Sequence, residues 1–408
     1  MNKRLLVLNV HYAPQSFGGA TIVAEELNSC LVEEHGWDIT VISTHVDPAI
    51  PAYNLRRYHS KSVEIISINL PTDKRYLEEY DNVQVNAIVE RLLRRIEPDI
   101  VHAHALQRLG CGYFNAIGQL GIPLVVTVHD AWWLCDRQFM VDGNGRYCFQ
   151  HEVKPERCRY CVDLPSEAAE KMRFLRQQLA LADLVLAPSQ FQRELYVANG
   201  IPADRCLVNG NGISAPRPLQ SALRREGDKL VLGFIGGPGP LKGSGVIIQA
   251  LNELPEYSNY TLQVVDAAQN IGVSWQDHGL WRVPGDVVFH PAYDQSTMDE
   301  FFAKIDVLLF PSQWKESFGL TVREALARDV WVIACSEGGV GEAIVDGENG
   351  VLIPMTSRSE PLREAICSCL QQVEKTRSHQ NPHKSRIKHF GDQAAELSQQ
   401  LERLIGQR

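Results

Sequence analysis

Nowhere in the 408 residues does an uninterrupted apolar run reach the ~18 positions that a membrane-spanning helix requires. Any work at a membrane is therefore expected from its surface. Basic charge is also short: 40 Lys and Arg face 49 Asp and Glu, a net charge of −9. No basic field exists to draw in nucleic acid, and no nucleic-acid partner is expected. Two glycine signatures are missing as well. Gly-x-x-x-x-Gly-Lys-Ser/Thr does not occur, and after Gly237-Pro238-Gly239 the place of a third fingerprint glycine is taken by Lys242. P-loop hydrolysis and dinucleotide redox chemistry thus lose their usual markers. Met1-Asn2-Lys3-Arg4 and the short run Leu5-Leu6-Val7-Leu8 lack the long apolar stretch and cleavage site of a secretion signal. They read as a first buried strand, and the expected location is the cytoplasm.

Apolar material is plentiful, 44% of the residues. Single cores stop growing near about 250–300 residues, so two domains of roughly 200 residues are expected. Strand-like runs alternate with helix-like runs, the pattern of a parallel sheet wrapped by helices. In the first half strand signals fall at 4–10, 38–43, 63–68, 100–103, 124–129 and 184–188, with helical patterns at 20–35, 83–96 and 167–182. In the second half they fall at 230–235, 262–265, 287–290, 307–310, 330–334 and 350–353. The predicted fold class is α/β: one Rossmann-like domain over 1–210, an aperiodic Gly- and Pro-bearing linker over 211–228, and a second Rossmann-like domain over 229–389. A last amphipathic helix falls within 390–408.

Of ten cysteines, six are scattered through apolar segments, where a reduced thiol behaves as a small core residue. Cys135, Cys148, Cys158 and Cys161 instead crowd together and end in Cys-x-x-Cys. A structural zinc, plain thiols and a disulfide all remain open for these four.

Open twin sheets bind ligands at the carboxyl ends of their strands, so the glycines there matter. Gly18-Gly19 follows the first strand and opens a helix, where backbone amides can approach a diphosphate. The loop Gly236-Gly237-Pro238-Gly239-Pro240-Leu241-Lys242-Gly243 follows the strand at 230–235. A lysine at a helix start opposes the macrodipole and asks for an anionic partner, such as phosphate oxygens. The strongest feature is Glu316-Ser317-Phe318-Gly319-Leu320-Thr321-Val322-Arg323-Glu324, after the strand at 307–310. If all of it were helical, eight residues would separate the two acids by ~12 Å of rise, placing them on different parts of one long ligand. Glu316 suits sugar hydroxyls, Glu324 the two hydroxyls of a ribose, and the amides of Phe318, Gly319 and Leu320 the phosphates between. The bland alternative is dipole complementation with Glu324 paired to Arg328 at i+4.

Together with His129-Asp130, Pro188-Ser189-Gln190, Lys242-Gly243 and the stretch from Gly338-Gly339 to Asp346-Gly347, these motifs resemble family 4 glycosyltransferases of the GT-B fold, in order and over nearly the whole chain. The resemblance implies a retaining transfer that needs no metal, in a cleft between two Rossmann-like domains, with the last helix crossing back onto the first. It implies a nucleotide-diphosphate sugar as donor and a glycan or lipid-linked acceptor in bacterial surface-polysaccharide assembly. It assigns donor orientation to Glu316, ribose to Glu324, diphosphate to Lys242, and a place near the transferred sugar to His129. One departure stands out: the arginine that family members commonly carry just before the lysine is absent, leaving Arg282 or Lys315 as substitutes. The cysteine-rich insert after Trp132-Trp133 resembles that of a bacterial subset, and both indoles are candidates for stacking on an acceptor sugar, or for packing the insert.

His102 and His104, at alternate positions of a strand, are expected on opposite sides if the strand continues. Arg56, Arg57, Arg91, Arg94 and Arg95 offer a basic surface for anionic lipid heads, or a solvated face, and with them a peripheral place at the inner membrane face. Two rival functions are a sugar-nucleotide epimerase on the same fold and a catalytically silent nucleotide-sugar-binding relative.

Overall fold

Unbroken apolar runs such as Leu230-Val231-Leu232-Gly233-Phe234-Ile235 belong to strands covered on both faces, and such strands build parallel sheets between layers of helices. The computed structural model, which describes residues 3–16, 18–217, 229–236, 240–256, 258–266 and 278–407, contains two such sheets. Residues 218–228, most of the expected linker, and Gly237 to Gly239 lie outside the described residues. The chain divides into two compact units, one of residues 1–143, 148–212 and 388–408, the other of 144–147 and 213–387.

The first unit runs β1 (Arg4–Leu8), α1 (Gly18–His35), β2 (Asp38–His45), β3 (Leu55–Ser60), β4 (Val63–Asn69), α2 (Val83–Ile96), β5 (Ile100–Ala103), α3 (Phe114–Gln119), β6 (Leu124–Thr127), α4 (Pro155–Cys158), α5 (Pro165–Leu179), β7 (Leu184–Ala187), α6 (Gln190–Ala198) and β8 (Cys206–Val208). Its eight strands lie in the order β3-β4-β2-β1-β5-β6-β7-β8. Only β3 pairs antiparallel, against β4. Side chains such as Leu5, Val7, Ile39, Val41 and Val125 pack under Leu27 and Leu31 of α1. The second unit runs β9 (Leu230–Ile235), α7 (Ser244–Asn252), β10 (Tyr260–Val265), β11 (Asp286–His290), α8 (Met298–Phe302), β12 (Val307–Phe310), α9 (Leu320–Ala327), β13 (Trp331–Cys335), β14 (Gly350–Ile353), α10 (Glu360–Gln371) and α11 (Val373–Arg377). Its six parallel strands lie in the order β11-β10-β9-β12-β13-β14. The last helix, α12 (Phe390–Gly406), joins the first unit: Ala394, Leu397 and Leu401 enter its core, and Trp37 Nε1 donates to Ser398 Oγ at 2.9 Å.

Two strands escape sequence reading, for different reasons. β3 is the polar, largely exposed edge Leu55-Arg56-Arg57-Tyr58-His59-Ser60, whose pattern is that of a surface loop until β4 pairs with it. β8 has three residues, too few to show a period. β6 ends at Thr127, so His129 stands past the strand end. Both sheets reverse winding direction at one place, beside β1 and β5 in the first and beside β9 and β12 in the second. Loops leaving a pair of strands at such a reversal diverge to opposite faces and leave a crevice between them.

Candidate functional site

Lys242 and Glu316 stand on the two loops that leave the reversal in the second sheet, after β9 and β12 respectively. A short turn over Pro240–Lys242 leads into Gly243, whose φ of +80° suits glycine and which caps α7. A Cβ at Gly243 would meet the Pro311 carbonyl oxygen at 2.1 Å, so only glycine lets the loops approach this closely. Gln313 N then donates to Leu241 O at 2.7 Å, tying them together. The result is an ion pair between Lys242 Nζ and Glu316 Oε1 at 2.6 Å, with Ser312 Oγ donating to the same oxygen at 2.8 Å. The Lys242 ammonium also lies over the rings of Phe310 and Trp314, at 5.6 and 5.5 Å. Lysine at this helix start does have its anionic partner, a carboxylate of its own chain. Glu316 is buried while the Lys242 side chain stays 34% exposed, so the cation is the part within reach of a ligand.

Behind Glu316 the chain is held by the turn at Gly338-Gly339. Gly339 N donates to Glu316 O at 2.8 Å, and a Cβ at Gly338, whose φ is +82°, would strike that oxygen at 2.6 Å. Glu316 therefore precedes the helix, and α9 begins at Leu320 with Gly319 at φ +80° as its cap. Because the first four residues of the motif are not helical, the ~12 Å helical rise does not describe this pair. The amides of Phe318, Gly319 and Leu320 have no protein acceptor among the described residues, as expected at a helix start whose cap residue has no side chain to accept from them.

Glu324, in α9, is 8% exposed. Its carboxylate receives only a 3.4 Å contact from the Tyr293 hydroxyl, and burial raises its pKa from the ordinary 4.5 to about 7 against the pull of Arg328 and Tyr293. The alternative, an i+4 side-chain pair with Arg328, does not form. Arg328 Nε instead donates to Asp299 Oδ1 at 2.6 Å and its Nη1 to the Glu324 backbone oxygen at 3.1 Å. Sequence reading passed over Arg323 between the two acids. Its buried guanidinium lies 3.6 Å from the Phe318 ring centroid and donates to the carbonyls of Phe318 and Gly339, lacing the acidic loop to the glycine turn. Desolvation pulls its pKa down to about 10. Ser312 was also missed. Its position four residues before Glu316 and just past the apolar run of β12 was the available signal.

In the first unit Gly18 opens α1 with φ +79° and, like Gly19, is exposed. The neighbouring loops after β1 and β5 are stitched by Val10 N to Ala105 O at 2.7 Å and His104 N to Leu8 O at 2.9 Å. His102 and His104 do not diverge. The chain leaves β5 after Ala103, turning the two rings to 4.0 Å between centroids. His104 Nδ1 meets His129 Nε2 at 2.9 Å, and His102 Nε2 meets Thr127 Oγ1 at 2.7 Å. Burial pushes His129 down to about 4 and His102 to about 3, and holds His104 well below the ordinary imidazole range. Asp130 fixes the loop by accepting from Gln138 Nε2 at 2.6 Å and Trp132 N at 2.8 Å, while its carbonyl accepts from Gln192 and Tyr196. Ser189 caps α6 by accepting from Gln192 N at 3.1 Å.

Two expectations are corrected here. Trp132 and Trp133 are 3% and 2% exposed, packed edge to face at 5.0 Å with Trp133 against Phe114, and neither offers a face to a sugar. Cys135, Cys148, Cys158 and Cys161 are free thiols, and among the described residues no group of three or more His, Cys, Asp or Glu side chains is arranged to hold a metal. Burial first, with the neighbouring thiols of the cluster adding to it, pushes the Cys135 and Cys158 thiols up to about 12 and 11. The substitute cations also separate: Arg282 is exposed on the approach to β11, while Lys315 sits next to Glu316 in the same loop. No helix among the described residues is long and apolar enough to cross a membrane.

Comparison with known proteins agrees with this geometry. Residues 17–217 match the model of Glycosyltransferase Family 4 and residues 218–384 that of Glycosyl transferases group 1. The chain is 26% identical over 287 residues to a GDP-mannose-dependent alpha-mannosyltransferase of Mycobacterium tuberculosis, covering 69% of this chain and 67% of that protein. It is 27% identical over 271 residues to a D-inositol 3-phosphate glycosyltransferase of Streptomyces griseus, covering 62% of this chain and 56% of that protein. The match thus spans little more than half of the second relative's length. Among solved structures, Anabaena Alr3699/HepE in complex with UDP and glucose matches 98% of this chain and 99% of its own at TM-score 0.65 and 18% identity. Sucrose-phosphate synthase from Thermosynechococcus elongatus matches 100% of both chains at TM-score 0.69 and 17% identity. At such identities the structures speak for the fold alone, and that fold is GT-B. With the two family models together spanning residues 17–384, the chain belongs to the family 4 glycosyltransferases.

Proposed function

We propose that this protein transfers a hexose from a nucleoside-diphosphate sugar, with retention of anomeric configuration, to a glycan or lipid-linked acceptor in polysaccharide assembly. The observation that carries the reading is the Lys242–Glu316 pair at the sheet reversal, 2.6 Å long and open at the cation. A bound donor replaces each half of that pair with a better partner. Diphosphate oxygens take the ammonium, and sugar hydroxyls donate to the carboxylate. Lys242 then offsets the charge that grows on the leaving phosphate, Glu316 orients the sugar, and Glu324 takes the ribose hydroxyls. The free amides at Phe318, Gly319 and Leu320, and the exposed Gly18-Gly19 turn, complete the phosphate contacts. His129 hydrogen-bonds the transferred sugar. Residues 229–389 form the donor domain, and residues 1–210 with 390–408 the acceptor domain. Arg91, Arg94 and Arg95 on α2 and Arg56 and Arg57 on β3 are all exposed, which supports a peripheral cytoplasmic enzyme acting on a membrane-held acceptor.

A thermal-shift screen of UDP, GDP, ADP and their common sugar conjugates tests the donor site, since ligand at 100 times its dissociation constant stabilises by about 2.7 kcal/mol. The responding conjugate is then incubated with the enzyme alone. Slow release of free sugar and nucleoside diphosphate supports the transferase. An isomerised sugar nucleotide identifies an epimerase, and binding without turnover a silent relative.

A further inference from the structure

The imidazoles at the ends of β5 and β6 share protons in a countable way. His104 Nδ1 lies 2.9 Å from His129 Nε2, close enough for one hydrogen and too close for two or none. His104 is 2% exposed, and its other nitrogen, Nε2, is buried without a partner. His102, 4.0 Å away ring to ring, likewise has its Nδ1 buried and unpartnered, so it gives His104 Nε2 nothing. The charged forms of all three rings are disfavoured, by burial first, for His102 also by His129, and for His104 also by His102 and His129, so each ring carries one N–H and one lone pair. Two arrangements remain. In one, His104 holds its hydrogen on Nε2, leaving a buried N–H with no acceptor. In the other, His104 donates from Nδ1, leaving a buried lone pair. Folded proteins leave buried N–H groups unpaired more rarely than acceptors, which favours the second.

We infer that His104 is a positioning residue, donating its Nδ1–H to His129 Nε2 and thereby fixing His129 as the Nδ1–H tautomer. No partner occupies His129 Nδ1 among the described residues, and the ring is part exposed. On the transferase reading above, that N–H points its hydrogen at a sugar oxygen and is a donor rather than a base. His129 then contributes binding geometry and does not accept the acceptor's proton. His102, held by Thr127 at 2.7 Å, forms the floor on which the His104 ring rests.

The test begins with the ligand-free full chain, so it does not depend on the donor. Nitrogen-15 spectra of histidine-labelled protein, with the His129 signals identified by their loss in His129→Gln, report which ring nitrogen carries the proton. Protonation at Nδ1 is expected, and protonation at Nε2 overturns the inference. His104→Asn retains an N–H near the position of Nδ1, whereas His104→Leu removes it. Asn is expected to keep the Nδ1–H state and Leu to release a mixture of tautomers, with melting temperatures checked for both. With UDP-glucose or GDP-mannose, whichever stabilises the protein, His104→Leu should lose roughly tenfold in kcat, and His104→Asn should recover most of it. Equal loss in the two variants, or none in either, also overturns the inference. If the tautomer is as stated but neither nucleotide sugar binds, the positioning role stands and the donor reading fails.

Discussion

At the ends of β9 and β12 a lysine and a glutamate meet at 2.6 Å with a second glutamate nearby in sequence, whereas at the ends of β5 and β6 three imidazoles cluster, their charged forms disfavoured by burial. Both clusters occupy the places where parallel sheets put ligands, yet one is built from charge and the other from neutral hydrogen-bonding groups. Formal charge suits a diphosphate and a diol, which bring anionic oxygens and hydroxyl donors. Neutral rings suit a sugar, which has no charge to answer. Under the proposed function, discrimination for the nucleotide belongs to the second unit and orientation of the sugar to the first.

Substitutions that remove charge from the second unit should therefore outweigh those elsewhere. Glu316→Gln keeps the shape and removes the anion; it should lower kcat by roughly 10- to 150-fold, the worth of a charge-assisted hydrogen bond, with nucleoside-diphosphate affinity nearly unchanged. Equal losses in kcat and affinity would place Glu316 on the nucleotide instead. Lys242→Ala should show the reverse bias, weakening nucleoside diphosphate by about tenfold or more in calorimetry and the bare nucleoside hardly at all.

Glu324 sharpens the contrast through pH. Its carboxyl is shifted up to about 7 in the folded chain from an ordinary 4.5, by burial. The stability associated with its protonated form is thus fully present below pH 4.5 and is lost as pH rises through about 7. A ribose that donates both hydroxyls binds the carboxylate, so nucleotide affinity should rise with pH through that range, by at most about tenfold per unit. Titration calorimetry in buffers of different ionisation enthalpy should detect proton release on binding near neutrality. Glu324→Gln should abolish the release, and persistence of it would move the titration to another group. The smallest effect belongs to Arg323→Lys, which keeps the charge but cannot reach both carbonyls in a fork. A loss of about 1 kcal/mol, or roughly 2–4 °C in melting temperature, is expected by scanning calorimetry.

Sequence reading reached the strands of both sheets wherever the apolar run was continuous: β5, β9, β12 and β14 have the limits that periodicity assigns them. It failed at β3, whose identity rests on pairing with β4; in the acidic motif the structure has Glu316 in the loop at the helix mouth, as read, but Gly319 and the Gly338-Gly339 turn make the helical rise inapplicable to the pair. Among site residues, the glutamates, Lys242 and His129 stood out as chemical groups at strand ends. Ser312 and Arg323 did not, because serine and arginine are common at the surface; Ser312 had only its place just past β12 as a signal, and Arg323 had none. The two tryptophans misled for a related reason: an indole reads the same whether it faces ligand or core.

The sequence by itself determined the α/β class, the positions of the strand-end loops and the chemical groups they carry, because these depend on neighbours within a few residues. Tertiary structure alone decided the partners. Lys242 and Glu316 are 74 positions apart, and His104 and His129 are 25 apart. Each pair forms because parallel strands that lie side by side release their loops at the same edge of the sheet. Which nitrogen faces outward, and which carboxyl is dry enough to hold its proton near neutrality, follow from that packing.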